Sequence, residues 1–191
     1  MNCAPCGKKT CDDGEMCTEI DMEFFKNYSA EETGKIFKNS SDVEAEGYMK
    51  LTRIEEIVLF SKKMNYKRLG IAFCIGLEEE AKILYKILKK HFRVSSICCK
   101  VCGISKDEMK IQKIVDGRFE AICNPVAQAE LLKEEKTDLN IICGLCVGHD
   151  MLFTKYSAAP VTTLIVKDRV LGHNPVSALY SNYYKKMLLE K

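Results

Sequence analysis

The sequence lacks several features that would indicate common classes of function. Its formal net charge is only +2, with both signs mixed along the chain, which gives no electrostatic reason to expect a nucleic acid or an anionic membrane as partner. No apolar run is long enough to cross a bilayer, and the opening Met-Asn-Cys does not begin an apolar signal segment. We therefore expect a cytoplasmic protein with no membrane or nucleic-acid partner.

Motifs of nucleotide binding and of serine hydrolysis are also missing. The turn after the first predicted strand, Cys74-Ile-Gly-Leu, carries a single glycine, which is too few for a phosphate-binding loop. No Ser-His-Asp arrangement, internal repeat or low-complexity segment stands out. The sequence therefore names no reaction and leaves the question of enzymatic activity open. We expect the partner to be a small molecule or a redox protein.

Cysteine is what the sequence has in excess, with 11 in 191 residues. A chain of this length can bury a sizeable core and needs no disulfides to fold. In a cytosolic chain, a high and odd number of thiols indicates metal binding or thiol chemistry. Four of them, Cys3, Cys6, Cys11 and Cys17, follow one another as C-x2-C-x4-C-x5-C among nearly apolar-free neighbours. The four cysteines could form disulfides or bind a metal, and the expected reducing compartment favours a metal.

Both zinc and an iron–sulfur cluster accept four thiolates. Zinc sites usually present two C-x2-C-like pairs separated by a longer arm, whereas here only Cys3 and Cys6 form such a pair. A tight run of four cysteines on a loop with Gly7 and Gly14 is more typical of a wrap around a larger group. We favour a 4Fe-4S cluster on these residues, with zinc as the alternative.

The rest of the chain alternates between strand and helix patterns. Predicted strands cover residues 69–74, 94–99, 119–123, 139–143 and 161–166. Predicted helices cover residues 78–91, 105–117, 125–136 and 149–156, with a last helix after Pro175 and an earlier one opened by the capping box Thr52-x-x-Glu55. Ser105-x-x-Glu108 is the expected cap of the helix at residues 105–117, which ends at Gly117 before the third strand.

This alternation predicts a doubly wound α/β fold with a mostly parallel five-stranded sheet, flanking helices and a cysteine-rich N-terminal metal-binding segment. We divide the chain into that segment, residues 1–20, a helical segment packed on the core, residues 21–66, and an α/β domain, residues 67–191.

The remaining cysteines cluster at the ends of predicted strands. Ligands of doubly wound sheets bind in the crevice beyond the carboxyl ends of the strands. With a flavodoxin-like strand order, Cys74, Cys123, Cys143 and Cys146 would face one crevice and form a second metal or thiol site. Cysteine is also a common core residue, and the adjacent Cys98 and Cys99 should point to opposite faces, so at least one of them is expected in the core.

Cys143-Gly-Leu-Cys146 is the sharpest motif of this second set. A C-x2-C pair at a helix N-terminus could hold an ion or a cluster, or it could form a redox dithiol. His149 follows on the same turn, and His173 lies on a polar loop; for both, a plain structural or surface role is the competing interpretation. Cys102 is a third weaker candidate.

Three stretches together resemble a known family. They are Cys3-Ala-Pro-Cys6-Gly7, the segment from Cys143 to Asp150, and the segment from Ala159 to Arg169. They resemble the family catalogued as domain of unknown function 1847, small uncharacterised metal-binding proteins of archaea and anaerobic bacteria. The resemblance implies a cytosolic, cysteine-rich metal-binding protein and implies no reaction and no catalytic residue.

Two functional hypotheses follow. In the first, the protein carries an iron–sulfur cluster on its N-terminal cysteines and a second metal or thiol site at the strand ends, as in a redox protein. In the second, zinc folds the N-terminal segment of a non-catalytic protein whose α/β domain binds a ligand or partner. A metal carrier or a sulfur-transfer protein would use the same residues as the first.

Overall fold

A computed structural model describes residues 2–20 and 22–190 of the chain. The chain divides into two units, one ending at Asp42 and the other beginning at Val43. Residues 1, 21 and 191, which are limits of the three predicted segments, lie outside the described ranges. The predicted boundaries between segments, after residues 20 and 66, stay predictions. No helix in the described ranges is long and apolar enough to span a membrane.

The first unit contains two 3-10 helices, Thr10–Asp13 and Met22–Ser29, and most of helix α1, Glu31–Gly47. Its apolar contacts are aromatic. The rings of Phe24 and Phe25 stack with centroids 4.3 Å apart, and those of Tyr28 and Phe37 lie 4.5 Å apart. The four cysteines before these rings are exposed, and neither 3-10 helix contains a buried residue.

The second unit is the α/β part of the chain. Its strands are β1 (Arg68–Phe73), β2 (Arg93–Cys98), β3 (Leu139–Cys143) and β4 (Val161–Ile165). Its helices are α2 (Arg53–Lys63), α3 (Glu78–Leu88), α4 (Pro125–Glu134), α5 (His149–Tyr156), α6 (Val176–Tyr180) and α7 (Asn182–Leu189).

The four strands form one parallel sheet in the order β2-β1-β3-β4. The α/β class with a parallel sheet and flanking helices is confirmed, but the prediction of five strands is wrong because the sheet has four. The order matches the first four positions of the doubly wound order 2-1-3-4-5. The chain reverses its direction of travel across the sheet between β1 and β3, so the crevice that such sheets use lies beyond the ends of these two strands.

The predicted strand at residues 119–123 and the predicted helix at residues 105–117 do not form. Glu120 instead holds the loop of residues 105–123 together. Its carboxylate pairs with Lys106 at 2.8 Å and accepts hydrogen bonds from the backbone N–H groups of Ile114 and Val115. These contacts, the Lys106 ammonium first, hold the pKa of Glu120 at about 2. The segment makes one antiparallel bridge, Ser105 to Ala121, and β3 takes the place beside β1 that a fifth strand would need.

Apolar side chains cover the sheet on both faces, which makes the fold doubly wound. On one face, α2 and α3 bury Ile57, Leu84 and Leu88 against Ile71 and Ile141. On the other face, α4 and α5 contribute buried side chains to a second cluster. That cluster contains Ala72, Cys74, Cys99, Ala129, Leu132, Ile142, Leu145 and Phe153. Each fully buried leucine or phenylalanine contributes about 2 kcal/mol from apolar burial alone, so the two clusters carry the stability of this unit.

Two of the predicted helix starts are confirmed at atomic detail. Thr52 and Glu55 form the reciprocal capping box of α2. The Asn124 side chain accepts the Ala127 N–H at 3.0 Å, and Pro125 occupies the first turn of α4. Both caps satisfy backbone donors that the helix cannot satisfy itself.

Gly144, directly after β3, has a positive φ of 70°, and a Cβ there would overlap the Leu77 side chain. We predict that Gly144→Ala lowers the free energy of unfolding by about 2–5 kcal/mol, because backbone strain and overpacking add. Gly117 also has a positive φ, of 76°, but no atom near its Cβ position. Gly117→Ala should therefore cost only about 1 kcal/mol, the strain alone. Denaturant midpoints of both variants check this, and equal costs would contradict it.

Candidate functional site

Cys74 and Cys99 lie side by side at the carboxyl edge of the sheet. Phe73 is paired with Cys98 in the β1–β2 register, so Cys74 and Cys99 are the next residues of the two chains. The Cys99 N–H donates to the Phe73 carbonyl at 2.8 Å, which continues the ladder by one step beyond the strands. Both thiols belong to the core cluster under α4 and α5, with exposed fractions of 7% for Cys74 and 2% for Cys99.

Cys123 lies on the other flank of Cys99. The N–H of Asn124 donates to the Cys99 carbonyl at 2.8 Å, and this contact sets Cys123 beside Cys99 just before α4 begins. The Cys99 sulfur accepts the Ile75 N–H at 3.3 Å. The Cys99 side chain also interacts with those of Cys74 and Cys123, and its single proton can serve one of the two at a time. We refer to Cys74, Cys99 and Cys123 as the thiol cluster; Cys99 is its centre, and Cys123 is its half-buried, accessible end.

The pKa values of the three thiols are shifted in different directions. The hydrogen bond from Cys99, together with the Gly76 N–H and the Lys167 ammonium, lowers the pKa of Cys74 although burial opposes this. The hydrogen bond from Cys99, together with the Lys100 ammonium and His149, lowers the pKa of Cys123 in the same way. The pKa of Cys99 is raised well above the usual thiol range by its two thiol neighbours, Cys123 and Cys74, and by burial. These interactions favour the protonated form of Cys99 and the thiolate forms of Cys74 and Cys123.

Cations flank the thiol cluster because they, too, follow strand ends. Lys100 comes two residues after β2, and Lys167 and Arg169 follow β4. Lys167 Nζ lies next to Cys74 and 3.2 Å from the point that a Cβ on Gly76 would occupy. Parallel strands place all their carboxyl ends at one edge, so these cations meet thiols there.

Cys146 joins the same edge through Arg169, whose Nη2 donates to the Cys146 sulfur at 2.9 Å. This contact, followed by the charges of Cys74 and Cys123, raises the pKa of Arg169. Arg169 therefore links Cys146 electrostatically to the thiol cluster.

Cys143 is placed differently from its C-x2-C partner. It is fully buried in the core cluster on the α2–α3 face, with Leu139 and Ile141 of the same strand. Burial, followed by the charge of Glu80, raises the pKa of Cys143 to about 11. It is therefore a neutral core thiol, and the sharpest motif in the sequence does not bring two thiolates together.

The weaker candidates have separate roles. His149, at the start of α5, acts electrostatically on Cys123. His173 Nδ1 accepts the Asp168 N–H at 3.1 Å and so shapes its own loop. Cys102 is exposed on the loop after β2. Of these three, His149 is the one placed at the thiol cluster.

The N-terminal cysteines Cys3, Cys6, Cys11 and Cys17 are all exposed. The N–H of Cys6 donates to the Cys3 carbonyl at 3.1 Å, which makes a turn between the first pair. Backbone N–H groups of Lys9 and Lys8 donate to the Cys6 thiol and lower its pKa. Such donors favour the thiolate that a metal requires. Within residues 2–20 and 22–190, however, no group of three or more His, Cys, Asp or Glu side chains is arranged as a metal site.

Sequence reasoning missed the centre of the thiol cluster, Cys99, and the cations around it. The signal that could have found Cys99 is its register with Cys74, since both follow their strands by one residue. Lys100, Lys167 and Arg169 follow strands in the same way, but the reasoning about strand ends was applied to cysteines alone.

The comparisons with known proteins confirm the family that the sequence resembles, but not the metal-binding description that the resemblance carried. The model of a family described as protein of unknown function (DUF1847) matches residues 12–164. An uncharacterised protein of Methanocaldococcus jannaschii is 59% identical over 191 residues, which are 100% of this chain and 99% of that protein. No solved structure matches the chain. Neither match names a metal or a reaction. The chain therefore belongs to the DUF1847 family of proteins of unknown function.

Proposed function

We propose that this protein is a thiol-dependent redox protein whose thiol cluster alternates between thiols and a disulfide. The observation that carries the proposal is the position of Cys99 between two other cysteines: Cys74 is its neighbour across the β1–β2 ladder, and Cys123 precedes the N–H that the Cys99 carbonyl accepts. Lys167 lies next to Cys74, and the Lys100 ammonium acts on Cys123. A thiolate next to a protonated resolving thiol is the arrangement that thiol–disulfide exchange needs.

The exchange begins at Cys123, because it is the accessible end of the thiol cluster. Its thiolate attacks one sulfur of a low-molecular-weight disulfide, forms a mixed disulfide and releases one thiolate. Cys99 then gives up its proton and attacks the Cys123 sulfur, which expels the second thiol. The substrate disulfide is reduced to one thiolate and one thiol, and Cys99 and Cys123 are oxidised to a disulfide.

The surroundings favour thiol chemistry over a second metal ion at the strand ends. The thiolates of Cys74 and Cys123 already have ammonium partners in Lys167 and Lys100. A metal cation would have to displace these partners and would lie among their positive charges, with Arg169 nearby. Cys99 would also have to lose its proton, since metals bind the thiolate.

For the N-terminal unit we propose a 4Fe-4S cluster held by Cys3, Cys6, Cys11 and Cys17, with zinc as the alternative. The donor set fits because all four thiols are exposed and Cys6 already accepts two backbone N–H groups. Such a cluster would supply one-electron transfer. Zinc would instead make this unit a structural element, and the protein a zinc-binding one.

The charge state of Cys123 gives the first test. Alkylation by iodoacetamide requires a thiolate, so the rate at Cys123 should stay high as pH falls from 9 to about 6, well below the usual thiol pKa of about 8.5. Lys100→Met should raise the Cys123 pKa and cut the rate at pH 6 by roughly 10-fold, with little change at pH 9. Quantitative mass spectrometry of the Cys123 peptide measures both. Lys90→Met is the control, because Lys90 lies at the opposite edge of the sheet.

The role of Cys99 gives the second test. After brief exposure to glutathione disulfide and acid quenching, peptide mapping should find a disulfide between Cys99 and Cys123 in the wild type. In Cys99→Ser, glutathione should stay attached to Cys123, because the resolving thiol is gone. Cys102→Ser, at an exposed position, should behave like the wild type. A mixed disulfide that resolves equally fast without Cys99 would contradict the proposal.

Metal analysis tests the N-terminal unit independently of the thiol cluster. Anaerobically purified protein should contain about four iron and four sulfide per chain and be brown. Cys6→Ser should lower both contents, whereas Cys146→Ser should leave them unchanged, because Cys146 is held by Arg169 in the other unit. Zinc without sulfide would favour the alternative cofactor.

A further inference from the structure

The exchange between Cys123 and Cys99 leaves Cys74 without a chemical part, although Cys74 stands in register with Cys99. The Cys99 N–H donates to the Phe73 carbonyl at 2.8 Å. In a parallel ladder, the next bond would join the Ile75 N–H to the Cys99 carbonyl. These two positions enclose Cys74, so Cys74 is the residue that Cys99 faces across the ladder.

At this point the Cys99 sulfur takes the place of the Cys99 carbonyl in the ladder. The Ile75 N–H donates to the sulfur at 3.3 Å, and the carbonyl accepts the Asn124 N–H at 2.8 Å instead. The first contact holds the Cys99 side chain over the turn that begins at Cys74. The second holds Cys123, the residue before Asn124, next to Cys99. Contacts with the backbone thus fix Cys99 between the other two cysteines.

The Cys74 sulfur lies over the same turn. It is 3.9 Å from the point that a Cβ on Gly76 would occupy, and Lys167 Nζ is 3.2 Å from that point. The Cys99 sulfur at the Ile75 N–H and the Cys74 sulfur beside Gly76 are therefore placed at neighbouring residues of one turn. Paired strands lie about 4.8 Å apart, which is within the Cα separation of about 4.4–6.8 Å that a disulfide bridges.

Burial separates this pair from dissolved reactants. Cys74 is 7% exposed and Cys99 is 2% exposed, and both belong to the core cluster under α4 and α5. Thiol exchange requires access to the sulfur, so a dissolved disulfide reacts slowly at this depth. Cys123 is only half-buried. The route by which Cys74 and Cys99 become oxidised therefore starts at Cys123.

We propose that Cys74 is a second nucleophile, which attacks Cys99 in the Cys99–Cys123 disulfide and moves the disulfide into the core. The Cys74 thiolate forms a bond to the Cys99 sulfur, the bond between Cys99 and Cys123 breaks, and Cys123 leaves as a thiolate. One disulfide and one thiolate are present before and after this step, so it needs no further oxidant or reductant. The inference rests on the proposed function and adds a catalytic residue to it.

The transfer returns Cys123 to its reactive form while the protein stays oxidised. Lys100 is held near the leaving thiolate, because its Nζ donates to the carbonyl of Ala121, two residues before Cys123, at 2.5 Å. The disulfide between Cys74 and Cys99 lies in the core, where dissolved thiols reach it slowly. The thiol cluster thus stores one disulfide and keeps one accessible thiol for a second substrate molecule.

A time course tests the transfer. The full chain is treated anaerobically with an equimolar amount of glutathione disulfide, quenched in acid at intervals and mapped by peptide mass spectrometry. Early samples should contain the Cys99–Cys123 disulfide. In later samples the Cys74–Cys99 disulfide should replace it, and Cys123 should again be open to alkylation. A Cys99–Cys123 disulfide that persists without any Cys74–Cys99 disulfide would overturn the inference.

Variants assign the order of the steps. Cys123→Ser should slow formation of the Cys74–Cys99 disulfide by about 10-fold or more, because the accessible thiol is gone. Cys74→Ala should accumulate the Cys99–Cys123 disulfide with no later rearrangement. Cys143→Ala is the matched control, because it removes a buried strand-end thiol from the other face of the sheet, and it should rearrange like the wild type.

The two proposals fail in different ways. A Cys99–Cys123 disulfide that forms and never rearranges would overturn the transfer and leave the redox function standing. Equally fast formation of the Cys74–Cys99 disulfide in Cys123→Ser would also overturn the transfer, since the core pair would then be oxidised directly. Failure of the wild type to form any disulfide in the thiol cluster, or a mixed disulfide on Cys123, would overturn both proposals.

Discussion

The position of β1 between β2 and β3 is the constraint on which the rest of the second unit depends. Burial of Leu69, Ile71 and Ala72 on both faces fixes β1 at the centre of the sheet, and its parallel pairing sets the register of both neighbours. A one-residue slip would turn every side chain of a strand to the other face. With this register, Cys74 and Cys99 meet on one face and Cys143 lies on the other. The apolar core thus decides which cysteines become neighbours.

Most of the fold could be predicted because hydrophobic patterns in this chain are long and regular where the sheet forms. The apolar runs predicted the four strands, and the capping box at Thr52 and the predicted helix start at residue 125 placed α2 and α4 correctly. The segment 105–123 could not be predicted, because Glu120 organises it through long-range contacts with Lys106 and two backbone N–H groups that local propensity does not contain. Strand-end reasoning led to Cys74, Cys123, Cys143 and Cys146 at the carboxyl edge of the sheet, and a functional site there stays a prediction. Its centre, Cys99, was missed because two adjacent cysteines suggested one core residue, whereas pairing with Cys74 gives Cys99 a chemical neighbour.

A single proton organises the thiol cluster. A thiol has one hydrogen, so Cys99 can donate to Cys74 or to Cys123 at any moment, and the other thiolate then depends on its lysine. This makes the two outer thiols alternatives rather than equals. Cys74 is the more buried and accepts the Gly76 N–H, so its thiolate is well supported inside the protein. Cys123 has the accessible sulfur. Cys99 can therefore donate its hydrogen either to the buried thiolate of Cys74 or to the accessible thiolate of Cys123.

Environment, more than the number of cysteines, determines the chemistry of this chain. Cys143 is buried near Glu80, and both effects favour its neutral thiol, so it is chemically a small apolar residue. Cys74 and Cys123 are almost as close to the core, yet cations and N–H donors outweigh burial and favour the thiolate. Cys6, in the other unit, has thiolate character for a third reason, because it is exposed and accepts two backbone N–H groups. Thiols held by N–H donors in water suit a metal, whereas thiols held by lysines beside a protonated neighbour suit exchange. Under the proposed function, one sequence feature, an excess of cysteine, thus divides into a metal segment and a redox site when each sulfur is considered with the groups around it.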